Sequence, residues 1–225
     1  GTLNFSDAPL LSIKHGTTIL YLLFASYTIG FGIKAAIMPI HSWLPSAMVA
    51  PTPVSTLLHA VAVVKAGVFG ILRMVYFVFG VDLMKQLGLN NVLAGIAAFT
   101  IIAASLIAMK QDNLKRRLAY STISQLSYIV LGAALVSSQA ALGAIIHIAN
   151  HAFTKGTLFM CAGAIAEETG KKNISEMKGL AKRMPLTMAA FTIASLGMLG
   201  VPPVAGFVTK WFLGSGAVEA RQPII

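Results

Sequence analysis

Two long apolar runs, Thr17 to Ala50 and Pro185 to Val218, each carry one charge, a lysine, and each is interrupted by proline. A straight helix over either run of about 34 residues would reach about 51 Å at 1.5 Å per residue, well past the ~30 Å hydrocarbon core of a bilayer. The prolines supply the break, because proline removes a backbone donor and clashes with the preceding turn. In the first run, Pro39 and Pro45 predict a helix from Thr17 to about Met38, an unwound stretch, and a short helix from Ser42 to Ala50. In the second run the break falls at Pro202 and Pro203. Lys34 precedes its prolines, whereas Lys210 follows its own. Interrupted spans with mirrored lysines are the pattern expected of inverted repeats whose site lies at the broken helices.

Four further spans are predicted between these runs: Val54 to Phe79, Asn91 to Met109, a helix capped by Asp112 or Asn113 and running to Val136, and Ala140 to Ala166. Asp82 to Asn90 reads as a polar connection and Ser137-Ser138 as a tight turn. Hydrophobic residues make up 56% of the chain and charged ones 11%, with a mean hydropathy of +0.79. Soluble domains carry about 25% charged residues. The expected fold is therefore all-α: one polytopic transmembrane bundle of about six spans over residues 1–225, two of them broken by proline. The chain opens on Gly1 and stops soon after Val218, so both ends read as cut from a longer subunit. The single Cys161 excludes an intrachain disulfide and reads as a packing residue.

The net charge of +10 does not point to nucleic acid. Its cations concentrate in two loops: Lys110, Lys115, Arg116 and Arg117 in one, and Lys171, Lys172, Lys178, Lys182 and Arg183 in the other. Basic loops flanking apolar spans are cytoplasmic by the positive-inside rule. The turn at Ser137 and the segment around Asp82 and Lys85 then lie outside, as does the amino terminus. Anionic lipid or an acidic partner subunit suits these loops better than DNA.

Lys34, Lys65, Lys155 and Lys210 all sit inside apolar stretches. A charged amine at the bilayer centre costs at least about 2.5–3.5 kcal/mol, so an intramembrane ionisable residue is a functional-site hypothesis by default. His147, His151 and Lys155 are spaced i, i+4, i+8; they drift about 80° around the helix axis while climbing about 12 Å, and form one polar stripe. Imidazole both accepts and donates a proton near neutral pH, which makes the stripe a candidate proton relay. The plainer alternative is a pair of packing histidines beside a snorkelling lysine. Zinc at His147 and His151 lacks the third protein ligand that such sites need.

His59 and Lys65 are six apart and share the bundle interior only if their helix is locally distorted. Arg73 is expected to snorkel to the interface. The seven carboxylates (Asp7, Asp82, Asp112, Glu167, Glu168, Glu176 and Glu219) lie outside the spans or at their ends. None reaches Lys34 at the membrane midplane, so that lysine is neutral when buried or its carboxylate partner lies outside this chain.

The run GIKAAIMPIHSWLPSAMVAPTPVSTLLHAVAVVKAGVFGILR, Gly32 to Arg73, resembles the signature region of the antiporter-like subunits of respiratory complex I. Subunits of Mrp-type sodium/proton antiporters and of membrane-bound hydrogenases share it. NLKRRLAYSTISQLSY (Asn113 to Tyr128), HIANHAFTKGTLF (His147 to Phe159) and GVPPVAGFVTKWF (Gly200 to Phe212) extend the resemblance in order along nearly the whole chain. It implies a fold of about fourteen helices with two inverted five-helix repeats. The six spans here would be the last two of the first repeat and the first four of the second. Lys34 matches the lysine of the first broken helix, Lys65 the lysine of the next, and His59 a histidine found there in some members. His147, His151 and Lys155 match the central line, and Lys210 the terminal ionisable group, which is glutamate in some members. A family glutamate on an earlier helix, absent from this chain, pairs with the Lys34 equivalent.

The implied function is proton translocation in an NADH:quinone oxidoreductase-type complex or a membrane-bound hydrogenase. Other membrane subunits are its partners, and the setting is a prokaryotic inner membrane. The alternatives are an Mrp-type subunit exchanging sodium for protons, and a structural membrane module that moves nothing. No cofactor of its own is expected, since haem, flavin and iron–sulfur motifs are lacking.

Overall fold

The first apolar run folds as α1, Thr17–Ala35, and stops where Ala36 takes a left-handed conformation at φ 55°. In this computed structural model, which describes residues 9–220 (Asp7 falls outside them), helices account for all regular structure among the described residues. Beyond α1 the backbone unwinds around Pro39, and Met38 N–H reaches across to Thr100 Oγ1 at 3.3 Å. The chain resumes as the short α2, Trp43–Ser46. Pro45 is not a break: it sits in the first turn of α2, where no intrahelical donor is missed.

The next span is α3, Thr52–Phe79, with Pro53 in its opening turn. It is not a regular α-helix. Wide π turns occupy Leu57–Val61 and Met74–Phe79, and Ala62 departs from helical geometry at φ −98°, ψ −78°. α3 lies against α1 so closely that a Cβ on Gly67 would meet the backbone of Lys34 and Ala35, and one on Gly70 the ring of Phe31. Gly80, at φ 79°, ends the helix.

The segment expected as a polar connection after Gly80 is partly helical. α4 spans Val81–Gln86, because Leu83 and Met84 bury themselves against the core. Then come α5, Leu89–Lys110, and α6, Leu114–Ala134. Asn113, not Asp112, caps α6, its side-chain oxygen accepting from Arg116 N–H at 3.1 Å. α7, Ser138–Thr169, is capped by Ser137 and runs for 32 residues, about 48 Å. The short α8, Leu180–Arg183, leads into α9, Pro185–Leu199, and, after a break over Gly200 to Val204, into α10, Ala205–Glu219. Among the described residues α1, α3 and α5 are long and apolar enough to cross a membrane by length and composition, and α9 is a shorter apolar helix. The core is built from Leu20, Phe24, Val64, Val68, Ile71, Leu126 and Ile129.

Both basic loops come to the same end of the bundle and are tied together there. Leu114 N–H donates to Lys172 O at 3.0 Å and Ile174 N–H to Asp112 O at 2.8 Å. Asp112 accepts from the Ser175 hydroxyl at 2.7 Å and the Ser175 amide at 3.0 Å, which hold its carboxyl below the usual carboxylate range. Arg117 donates to the carbonyls of Ala108, Met109 and Gln111, closing the end of α5. At the opposite end Ser137 donates to Gly216 O at 3.1 Å. That placement agrees with the up-and-down path read from the charge pattern.

Candidate functional site

The irregular turn in α3 places the first two site residues. Six residues of ideal helix would set His59 and Lys65 on different faces; the π turn and the kink at Ala62 bring both inward, and they are 0% and 7% exposed. π turns of this kind recur at functional sites. On α7 the stripe of His147, His151 and Lys155 is wholly buried, as its spacing predicts.

Within the site the two helices meet through a buried hydrogen bond. Lys65 Nζ lies 2.7 Å from His151 Nδ1. The His151 and His147 rings follow at 5.8 Å between centroids. His147 Nδ1 lies 3.1 Å from Thr209 Oγ1 on α10, and the Tyr128 ring of α6 stands 6.5 Å from His147. Lys155 takes another direction and donates to the Ser121 hydroxyl of α6. The order along the chain therefore differs from a simple climb up α7: Lys65 meets the stripe at its middle member.

Lys210 sits at the second break. Its amine donates to Leu199 O at 2.8 Å and Met198 O at 3.1 Å, the free carbonyls at the end of α9, and stands 5.8 Å over the Tyr128 ring. A cation is well placed at a helix C-terminus, where unpaired carbonyls carry the negative end of the helix dipole. Lys210, Lys155, Ser121 and Gln125 also line a cavity of about 730 Å³ between α6, α7 and α9, which extends to Arg117 and Lys178 at the basic-loop end. A smaller cavity of about 250 Å³ on the other side of Lys210 is lined by Tyr128, Leu135 and Ala217. Lys210 thus borders both.

Lys34 departs from expectation. It is exposed in this chain, in a groove lined by Leu23, Ser26, Tyr27, Gly30 and Phe31. At the first break Trp43 Nε1 donates to Ile33 O at 2.7 Å, so an indole does there what the Lys210 amine does at the second. His59 is buried against Phe159, ring centroids 4.9 Å apart. Both its ring nitrogens lack a partner, with the Leu44 backbone close by but outside hydrogen-bond geometry. Arg73 packs over the rings of Phe69 and Phe77. Among the described residues no cluster of three or more metal-ligating side chains occurs.

Sequence reasoning missed Ser121, Gln125, Tyr128 and Thr209. The first three were signalled by their i, i+4, i+7 spacing on α6, the register of one helix face.

Several known proteins are similar to this chain in sequence or in fold. A model of the family described as NADH:quinone oxidoreductase/Mrp antiporter, TM, matches residues 1–225. NADH-quinone oxidoreductase subunit N of Desulforudis audaxviator is 41% identical over 98% of this chain and 44% of its own length. Hydrogenase-4 component B of Escherichia coli is 37% identical over 94% of this chain and 33% of its own. A probable K(+)/H(+) antiporter subunit of Rhizobium meliloti is 39% identical, over 92% and 20%. A chain in the structure of the Mrp complex from Dietzia sp. superposes with a TM-score of 0.83 at 34% identity, covering 94% of this chain and 23% of that one. A chain of the membrane-bound sulfane sulfur reductase, an archaeal respiratory membrane complex, gives 0.84 at 32% identity, with 92% and 42% covered. This chain spans less than half the length of each of these relatives. With the whole chain matched and the fold shared, it belongs to the NADH:quinone oxidoreductase/Mrp antiporter transmembrane family.

Proposed function

We propose that this chain carries protons as part of an antiporter-like subunit of a larger, redox-driven membrane complex. The observation that carries the reading is the buried contact between Lys65 Nζ and His151 Nδ1 at 2.7 Å, which joins α3 to the polar stripe of α7. Protons held at Lys65 pass to the His151–His147 pair, with Lys155 and its Ser121 partner beside them, and leave through Lys210. His59, buried with two unpartnered nitrogens, serves the Lys155 side of the line. The exposed Lys34 faces the groove where a carboxylate from outside the chain would dock and set its charge. Any redox chemistry resides in partner subunits.

Relatives that include a chain of an Mrp complex and a probable K(+)/H(+) antiporter subunit support a second reading, in which the same line serves cation/proton exchange. Proton movement that depends on sodium or potassium would select it. The line itself is tested at Lys155 in the full-length subunit within its complex. Lys155→Met should abolish proton uptake by proteoliposomes with assembly intact, since methionine fills the space without titrating. Lys155→Arg should fail as well, because guanidinium holds its proton permanently. Uptake at the parent rate in the arginine variant overturns the assignment.

A further inference from the structure

The hydrogen bonds around the two stripe histidines fix where their protons sit. Thr209 is 0% exposed, and its hydroxyl donates to the Gly206 carbonyl at 2.9 Å. Its one proton is therefore committed, and toward His147 the Thr209 oxygen can act only as an acceptor. The 3.1 Å contact then requires His147 to carry its proton on Nδ1. That leaves a lone pair on His147 Nε2, a buried atom without a protein partner. At the neighbouring ring the logic reverses. A lysine ammonium has donors and no acceptor, so Lys65 donates to His151 Nδ1, and neutral His151 carries its proton on Nε2. His151 Nε2 is also buried without a protein partner.

We infer that Thr209 is a positioning residue that holds His147 in the Nδ1–H form, so that the neighbouring rings offer a donor N–H on His151 and an acceptor nitrogen on His147 and the relay has a fixed direction. The inference rests on the relay reading given above. At 5.8 Å between centroids, one water admitted between the rings, accepting from His151 and donating to His147, would join the two nitrogens. The transfer balances. The Lys65 ammonium gives a proton to His151 Nδ1, His151 releases the proton on its Nε2, and that proton ends on His147 Nε2. Lys65 is left as a neutral amine, His151 as a neutral imidazole protonated on Nδ1, and His147 as an imidazolium with both nitrogens protonated. One charge has moved from α3 to the α10 side. The Thr209 oxygen keeps its bond to His147 Nδ1–H throughout and stabilises the imidazolium. With the other tautomer, His147 would present an N–H to the N–H of His151, and the step could not begin.

The test uses the full-length subunit in its complex, with Thr209→Val, which keeps the shape and removes the hydroxyl, against Thr209→Ser, which keeps the hydroxyl. Proton uptake should fall about tenfold in the valine variant, the ratio set by one lost buried hydrogen bond, and stay within about twofold of the parent in the serine variant. Nitrogen NMR of 15N-histidine-labelled protein, with His147 assigned by loss of its signals in His147→Phe, should show Nδ1 protonated in the parent and lost as the favoured form in Thr209→Val. Should Thr209→Val not assemble, Thr209→Ser against Thr209→Ala isolates the hydroxyl equally. Nε2 protonation of His147 in the parent, a hydroxyl-free variant at the parent rate, or a serine variant as impaired as the hydroxyl-free one overturns the inference. His147→Phe separates the two ideas. If it is inactive while Thr209→Val is normal, only the role of Thr209 fails; if both are normal, the relay itself fails.

Discussion

Removing either partner of the Lys65–His151 contact should stop the same step. The hydrogen bond measures 2.7 Å, and its two residues are 7% and 1% exposed, so solvent water does not replace whichever is removed. A buried bond to a charged group is worth about 1.5–3 kcal/mol, or roughly 10- to 150-fold in rate at 1.36 kcal/mol per decade. The variants Lys65→Met and His151→Phe also delete a proton carrier, a role worth about 10²–10⁴-fold. Each single variant should therefore lose at least about 100-fold in proton uptake. The discriminating quantity is the double variant. Independent contributions would multiply to a loss of at least about 10⁴-fold, whereas two residues on one path act as a unit and are non-additive. Uptake is measured in proteoliposomes containing the intact complex, by a pH-sensitive dye, with assembly checked by size-exclusion chromatography. A double variant no worse than the poorer single one fits the geometry. A loss equal to the product of the single losses would refute it, because it would place Lys65 and His151 on separate routes.

Two other expectations follow from the architecture. At the second helix break a Cβ on Gly206 would collide with the Gly197 carbonyl, so Gly206→Ala should destabilise the subunit by about 1–3 kcal/mol as an overpacking substitution, whereas Gly95→Ala, which meets nothing within 4 Å, should leave the melting temperature unchanged or slightly raised; thermal unfolding of the two variants in detergent decides. With both basic loops cytoplasmic, a cysteine at Ser175 in a Cys161→Ala background should resist a membrane-impermeant thiol reagent on intact cells and one at Ser138 should react, and the reverse pattern inverts the topology.

The positions of the helices were legible because proline and charge are local signals. Thr17 as a start, the breaks near Pro39 and Pro202, the cap at Asp112 or Asn113, which falls at Asn113, and the turn at Ser137 follow from residues within a turn of the feature they set. Pro45 misled because the rule for helix interiors does not apply in a first turn, and α2 begins just before it. The segment after Asp82 misled because its polar residues hid Leu83 and Met84, whose burial is decided by packing against distant helices. Within the site, the stripe on α7 was readable from its period of four. That His59 and Lys65 share the interior depended on a π turn at Leu57–Val61, which leaves no mark in composition. Thr209 and Ser121 were hidden for another reason. Most helical hydroxyls here bond back to their own helix, as Thr122 does to Leu118 O and Thr157 to Phe153 O. Sequence alone does not single out the two that also meet an ionisable neighbour.

The partners of the buried groups show how a bundle with so much positive charge manages without acid. The buried polar and charged side chains among the described residues include Lys65, Lys155, His59, His147 and His151, and no carboxylate. Their amines and rings are met instead by oriented dipoles: the Ser121 hydroxyl at Lys155, the Thr209 hydroxyl at His147, and the Met198 and Leu199 carbonyls at the partly buried Lys210. A fixed counter-charge would hold a proton tightly wherever it stood. Dipoles of similar strength spaced along a line stabilise it comparably at each station and so leave it free to move between them. Lys34 differs: it is exposed in the last turn of α1, and no carboxylate among the described residues pairs with it. An external carboxylate arriving in its groove would therefore be the first full counter-charge on the route, and the natural place for a partner to control entry to it.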